Sequence, residues 1–588
     1  MSAASGAAAP ALLERLLRPG RNSSRDVALD VLWILALGFV FIGVGIGLRD
    51  PWPPDEPRFA LIAQDMLRSG DWLIPRVGGD LYADKPPFFF WLVAAATAVT
   101  GSLRAGFLVP SLLAGLGTLL LTYDLLRRAR GREAGLAAAF VLLLTFQFVW
   151  QARQAQIDAT LCFLTTAGLY GLLRHLCLGP ARGWFLLGWV AAGLGVITKG
   201  VGFLPLLALL PFALLVRRGW PAPVRRVGSL GLAGLASMLL AIGLWFVPMI
   251  FATSAGGELL AYRNEILFQQ TLTRYSEAWH HHEPFHYYLV QVIPIFWLPL
   301  VALVPWLWTR WRAALGNRDT LVAVLLAWVV LVVVFFSASA GKRGVYVLPA
   351  VPALAMAAGP WLPELLRAAG PRRVSFALAA VLAGIALCGA VYFAVSAEAA
   401  ARVAEQLGLR PVLPLVIIGA VGGVAVAIVR PRQGWLAYAA VLLATLAVVG
   451  LVVNPRIDPA RSGRAFMEDI ERASADVPEL GLVGYKAHFL LQLRRPIVHF
   501  GQARWREPVA EASDAAAWLA ERPGRALVVN RKALEACFAG AEARDLGAAN
   551  RDRWYLVTGP AKEECVRSGD RARAIRYLPE NVSLVTDS

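Results

Sequence analysis

Two adjacent carboxylates open the part of this 588-residue chain that can do chemistry. They lie in Pro53-Pro54-Asp55-Glu56-Pro57-Arg58, just after the first long apolar run. A carboxylate held at a membrane surface can serve as a base or bind a metal ion. The same pair can instead cap a helix, because Phe59, Ile62, Ala63, Met66 and Leu67 share one helical face directly after it. The loop continues to Tyr82-Ala83-Asp84-Lys85-Pro86-Pro87. There the Lys85 ammonium suits a phosphate at headgroup level, and Asp84 can ligate a cation or pair with a base. Asp158 stands at the end of another apolar stretch, where an acid is costly unless it faces a cavity or a partner. Arg274-Tyr275 and His280-His281-His282-Glu283 lie in a second large polar loop. Histidine is a metal-ligand type, but three adjacent ones cannot all face one ion. A basic loop, Gly341-Lys342-Arg343, precedes Tyr346 and a further apolar run.

Composition says what must position these groups. Hydrophobic residues make up 57% of the chain and charged residues only 16%, against about 25% charged in ordinary soluble domains. That excludes a disordered chain and a soluble multidomain protein. The net charge of +17 does not point to nucleic acid, because the arginines crowd into short loops between apolar spans. Fourteen apolar stretches precede Asn454. Placing every loop Arg cluster on one side of the membrane requires one of the fourteen not to cross. The stretch 86–100 is the shortest and is aromatic-rich, so it is expected to lie in the interface. The expectation is an α-helical polytopic membrane protein of about 13 spans. Residues 1–26 form a cytoplasmic arm, with no cleavable signal peptide. Residues 27–453 form the membrane domain, with outer loops at 49–105 and 253–285. Residues 454–588 form an outer α/β domain, because charge rises there and five short β-like runs, at 481–485, 496–500, 526–530, 554–558 and 582–586, alternate with helix-like ones. Cys537 and Cys565 both fall in that domain, on the oxidising side, where a disulfide is expected. His488 and His499 read as structural.

Asp55-Glu56-Pro57-Arg58, Gly70-Asp71-Trp72 and Asp84-Lys85-Pro86-Pro87 together resemble the first outer loop of the bacterial aminoarabinose transferases. These lipid A modifying enzymes take sugar from undecaprenyl phosphate. They stand with the protein O-mannosyltransferases among polytopic glycosyltransferases of GT-C type. The resemblance runs through residues 28–455 and weakly into the tail. It implies that Asp55 and Asp158 are catalytic and sit at the sugar. It implies that Lys85, Arg274, Lys342 and Tyr346 hold the donor phosphate, with Arg58, Tyr82 and Arg343 in the same substrate-binding set. A divalent cation is the candidate cofactor, with Asp84 and His281 as its ligands. This chain departs from the family in having Gln269-Gln270 where an acid–His pair is common, Asp84 for the usual Glu, and Leu108 for a common Arg.

The reaction implied is inverting transfer of a sugar from a polyprenyl phosphate to lipid A or a related envelope acceptor. The phosphate leaving group is already anionic, so it needs cations rather than a proton. No nucleotide cofactor is expected, since no GxxxxGK[ST] motif appears. Partners are the lipid-linked donor, the acceptor and membrane lipids, at the inner membrane of a Gram-negative cell. Protein O-glycosyl transfer is the near alternative. A lipid-linked sugar transporter is the distant one, although no inverted repeat is evident.

Overall fold

The computed structural model describes residues 24–267, 283–484, 486–502 and 507–579. All fourteen apolar stretches are helical over most of their length. Among the described residues eight helices are long and apolar enough to cross a membrane, or ten counting two pairs bent by 72° and 97°. The remaining predicted spans are Ile157–Leu176, Arg182–Lys199 and the 201–217 stretch. They are short or diluted by polar and small residues, such as Asp158, Thr160, Thr165 and Thr166 in the first of them. Their small residues have a packing use. A Cβ on Gly171 would stand 2.3 Å from the Trp184 carbonyl oxygen, so these two helices approach backbone to backbone.

The loop after the first span is built rather than irregular. Helix Glu56–Ser69 follows Pro57 in its first turn and ends at Gly70, whose φ of 71° lets its N–H close on the Met66 carbonyl. A two-residue hairpin, Arg76–Val77 with Asp80–Leu81, leads to helix Phe88–Thr100.

The tail forms a six-stranded mixed sheet. In spatial order its strands are Ala543–Ala549, Asp552–Val557, Arg525–Asn530, Glu479–Leu482, Ile497–His499 and Ile575–Tyr577. The three central strands starting at Arg525, Glu479 and Ile497 are parallel, and the flanking ones antiparallel. Four of the five predicted strands are present. The fifth, at 582–586, lies outside the described residues. Cys537 and Cys565 are bonded.

Two features differ from a domain merely tethered to the last span. There is no break at Asn454, since helical backbone continues from the last span through Arg461. The sheet also uses the loop after the first span as its second layer. Leu527, Val529 and Val483 face the sheet's own helices, whereas Leu480, Leu482, Val528 and Trp554 pack with Phe59, Ile62, Phe89 and Phe90 of the loop. Strict alternation along each strand divides these two faces. Polar ties reinforce the contact. Buried Asp458 accepts from the Asp50 N–H at 2.7 Å, the Trp52 indole at 2.9 Å and Arg104 at 2.9 Å, and pairs with Arg464. His499 is buried and bonds the Gly78 carbonyl at 2.7 Å. His488 is buried too, and desolvation pushes its pKa down to about 3. Both histidines are structural, as expected.

Candidate active site

Asp55 and Glu56 are adjacent in sequence but do different work. Asp55 occupies the N-cap position, yet its side chain makes no capping hydrogen bond. Its carboxylate instead lies between two guanidinium groups. Arg58 donates to it at 2.6 Å and Arg343 at 3.0 Å. Arg58 also lies 3.6 Å from Asp84. Burial works to raise the Asp55 pKa, but Arg343 and Arg58 outweigh it and hold the carboxyl below its ordinary value. Burial likewise opposes the charge on Arg343, and the nearby Asp55 more than restores it. Glu56 is committed to architecture. It takes a two-pronged bond from buried Arg49, at 2.5 and 2.7 Å, and accepts the N–H groups of Trp52 at 2.9 Å and Ala155 at 3.0 Å.

Asp158 forms a second cluster at the start of helix Ile157–Leu176. It pairs with Lys199, whose ammonium sits 4.3 Å from the centroid of the Tyr346 ring. The two clusters adjoin, because Tyr346, whose ring meets Lys199, follows Arg343 by one turn and donates its N–H to the Arg343 carbonyl at 3.0 Å. Tyr82 is buried with its ring packed edge-on against Phe90. The Lys85 ammonium donates to the Asp84 carbonyl at 2.7 Å. Lys342 is buried and donates to the carbonyls of Ser339 at 2.6 Å and Glu283 at 2.7 Å. Its bonds therefore close the basic loop on itself and on the neighbouring segment.

Arg274 and His281 lie outside the described residues, as does the Gln269-Gln270 pair. Among the described residues no group of three His, Cys, Asp or Glu is placed to hold a metal ion. Asp84 already faces Arg58. The described residues thus do not by themselves fit a divalent cation.

Residues 84–245 match the family model described as dolichyl-phosphate-mannose-protein mannosyltransferase. An undecaprenyl phosphate-alpha-4-amino-4-deoxy-L-arabinose arabinosyl transferase of Pseudomonas paraeruginosa is 31% identical over 433 residues, covering 72% of this chain and 74% of that protein. The chain belongs to this arabinosyl transferase family. A relative of the same description from Pseudomonas aeruginosa is 32% identical, and the match covers 57% of this chain and 60% of that relative's length. The crystal structure of ArnT from Cupriavidus metallidurans bound to undecaprenyl phosphate has the same fold. Its TM-score is 0.70 at 23% identity, covering 90% of this chain and 98% of that one.

Lys199 is the site residue that sequence reading missed. It ends an apolar stretch on the expected outer side, and that misplaced positive charge was the available signal. Lys199→Met keeps the unbranched apolar stem of the side chain but leaves Asp158 without its cation. Sugar transfer is expected to fall about a hundredfold, measured as steady-state turnover of the reconstituted chain. Unchanged kinetics would remove the pair from the site.

Proposed function

We propose that this chain moves 4-amino-4-deoxy-L-arabinose from undecaprenyl phosphate to a phosphate of lipid A, on the periplasmic side of the inner membrane. The observation that carries the reading is the Asp55 carboxylate held between Arg58 and Arg343, in a chain of the arabinosyl transferase family. The bond between the anomeric carbon and the donor phosphate breaks, and undecaprenyl phosphate leaves with the electron pair. An acceptor oxygen forms the new bond from the opposite face, with inversion. Arg58, Arg343 and Lys85, joined by Arg274, supply the positive field for the departing phosphate. Lys342 holds the loop that carries Arg343. Asp158 with Lys199 lines the other side of the sugar, next to Tyr346.

The depressed pKa of Asp55 favours a phosphate acceptor over a hydroxyl. A general base works best with a pKa near the operating pH, and Asp55 is held well on the acidic side of that. A lipid A phosphate arrives already ionised and needs no base. Asp55 then orients the reactants and stabilises positive character at the anomeric carbon. The outer placement of the tail is supported by its disulfide, and the N-terminus is then cytoplasmic.

The test is mass spectrometry of lipid A after incubation in nanodiscs with the purified chain and undecaprenyl-phosphate-linked aminoarabinose. One added aminoarabinose on a lipid A phosphate is the expected result. Unmodified lipid A, with sugar found on added periplasmic protein, would replace lipid A by a protein acceptor.

A further inference from the structure

We infer that Gln147 is a positioning residue, which through Trp297 and the Gly344 carbonyl fixes the loop that delivers Arg343 to Asp55. This rests on the sugar-transfer reading above. Gln147 lies in the first turn of helix Phe146–Ala152, just after the 72° bend in its span. It is 3% exposed, and an amide this deep among apolar helices is expensive unless both ends are bonded. Both are. Its Oε1 accepts the Trp297 indole N–H at 2.6 Å, and its Nε2 donates to the Gly344 carbonyl at 2.7 Å.

The arrangement has only one orientation. An indole N–H can only donate, so it requires the amide oxygen, which aims the amide nitrogen at Gly344. Trp297 is itself buried, and follows helix Ile293–Phe296 at the 97° break before Val304–Gly316. The Phe146 N–H donates to the Leu298 carbonyl at 3.0 Å. The two broken spans are therefore sewn to each other at the level where Gln147 reaches the loop. Irregular backbone at such depth is tolerated where it is buried in protein or lines a cavity. The Tyr288 hydroxyl donates to the Arg343 carbonyl at 3.3 Å. The two peptide carbonyls on either side of the Arg343–Gly344 bond are thus both anchored, leaving the Arg343 side chain free to meet Asp55.

The test compares Gln147→Leu, Arg343→Ala and the double variant in the full-length reconstituted chain. Amide hydrogen exchange across residues 339–347 is expected to speed up in Gln147→Leu, and unchanged exchange there overturns the inference whatever the activity. In turnover, Gln147→Leu is expected to lose about ten- to a hundredfold in kcat, as a misplacement of a reacting group does, with little change in KM. The double variant should match Arg343→Ala alone, because the effect of Gln147 passes through Arg343. Multiplying losses would mean that Gln147 only supports the fold. The acid limb of the pH profile should move upward in Gln147→Leu as in Arg343→Ala, which a general loss of packing does not produce. Trp297→Phe removes the indole N–H while keeping an aromatic ring in the buried site. It should show the same exchange change in weaker form, and it stands in if Gln147→Leu does not fold. Absence of wild-type transfer would count against the sugar-transfer reading, while the exchange result still decides the inference.

Discussion

Asp55→Asn is expected to lower sugar transfer about a thousandfold, the order seen when one preorganised electrostatic group is removed from a transition state. The substitution keeps the shape of the side chain, and its oxygen can still accept from Arg58 or Arg343. What disappears is a negative charge between two cations, at the place where the anomeric carbon turns positive. The chain should remain folded, because Arg58 keeps Asp84 within 3.6 Å and both arginines are about one-third exposed. The pH behaviour follows from the sign of the shift. The folded pKa of Asp55 lies below its ordinary value, so its ion pairs stabilise the fold fully above the unfolded carboxyl value of about 3.9. That stabilisation is lost only as pH falls through the folded value. Wild-type activity should therefore show no acid limb from Asp55 above about pH 5. A limb near neutral pH that vanishes in Asp55→Asn would make Asp55 a proton-abstracting base and reinstate a hydroxyl acceptor.

The membrane part of the fold was legible because hydrocarbon imposes a simple demand: every long apolar stretch became helix. Four of the tail's strands were legible for a related reason, since short apolar runs bounded by turn residues have few alternatives, whereas the edge strands Ala543–Ala549 and Ile575–Tyr577 were not. The sheet's second layer was not. Leu480, Leu482, Leu527 and Val528 announce burial on two faces, but a sequence cannot say that one face is covered by residues 59–108 rather than by the domain's own helices. At the site, charges standing against the positive-inside bias pointed to Arg58, Lys85 and Arg343. Lys199 stands against the same bias at the end of its span and carried the same signal. Lys342, expected at the donor phosphate, also donates to two backbone carbonyls and so holds the loop beside it, which its charge alone does not announce. Gln147 had no signal beyond a lone amide in an apolar run, and its meaning depends on two chain breaks that meet only in three dimensions.

Glu56→Ala should be the most destabilising single change in the first outer loop, costing about 3–5 kcal/mol, the range for orphaning one partner of a buried ion pair. Four donors converge on this carboxylate, two from Arg49 and one each from the backbone at Trp52 and Ala155. Removing it strands a buried guanidinium and two N–H groups. Arg49 cannot swing out to water, because its guanidinium is also stacked on Trp52 at 4.6 Å and Phe107 at 5.2 Å. The Ala155 bond matters for function as well as stability. It ties the loop bearing Asp55 to the segment leading into Asp158, so the spacing of the two acidic clusters depends on it. A fluorescence melting curve in detergent should show a drop of several degrees in Glu56→Ala. The Arg49→Ala/Glu56→Ala double variant should lose less than the sum of its parts, because the stranded charge goes with its partner. Asp55→Asn should lose much less than Glu56→Ala in the same measurement, because it gives up only ion pairs to two arginines that are about one-third exposed. If the pattern is reversed, with Glu56→Ala stable and inactive and Asp55→Asn unstable, the division of labour between these neighbouring acids is the wrong way round and Glu56 is the group that belongs at the sugar.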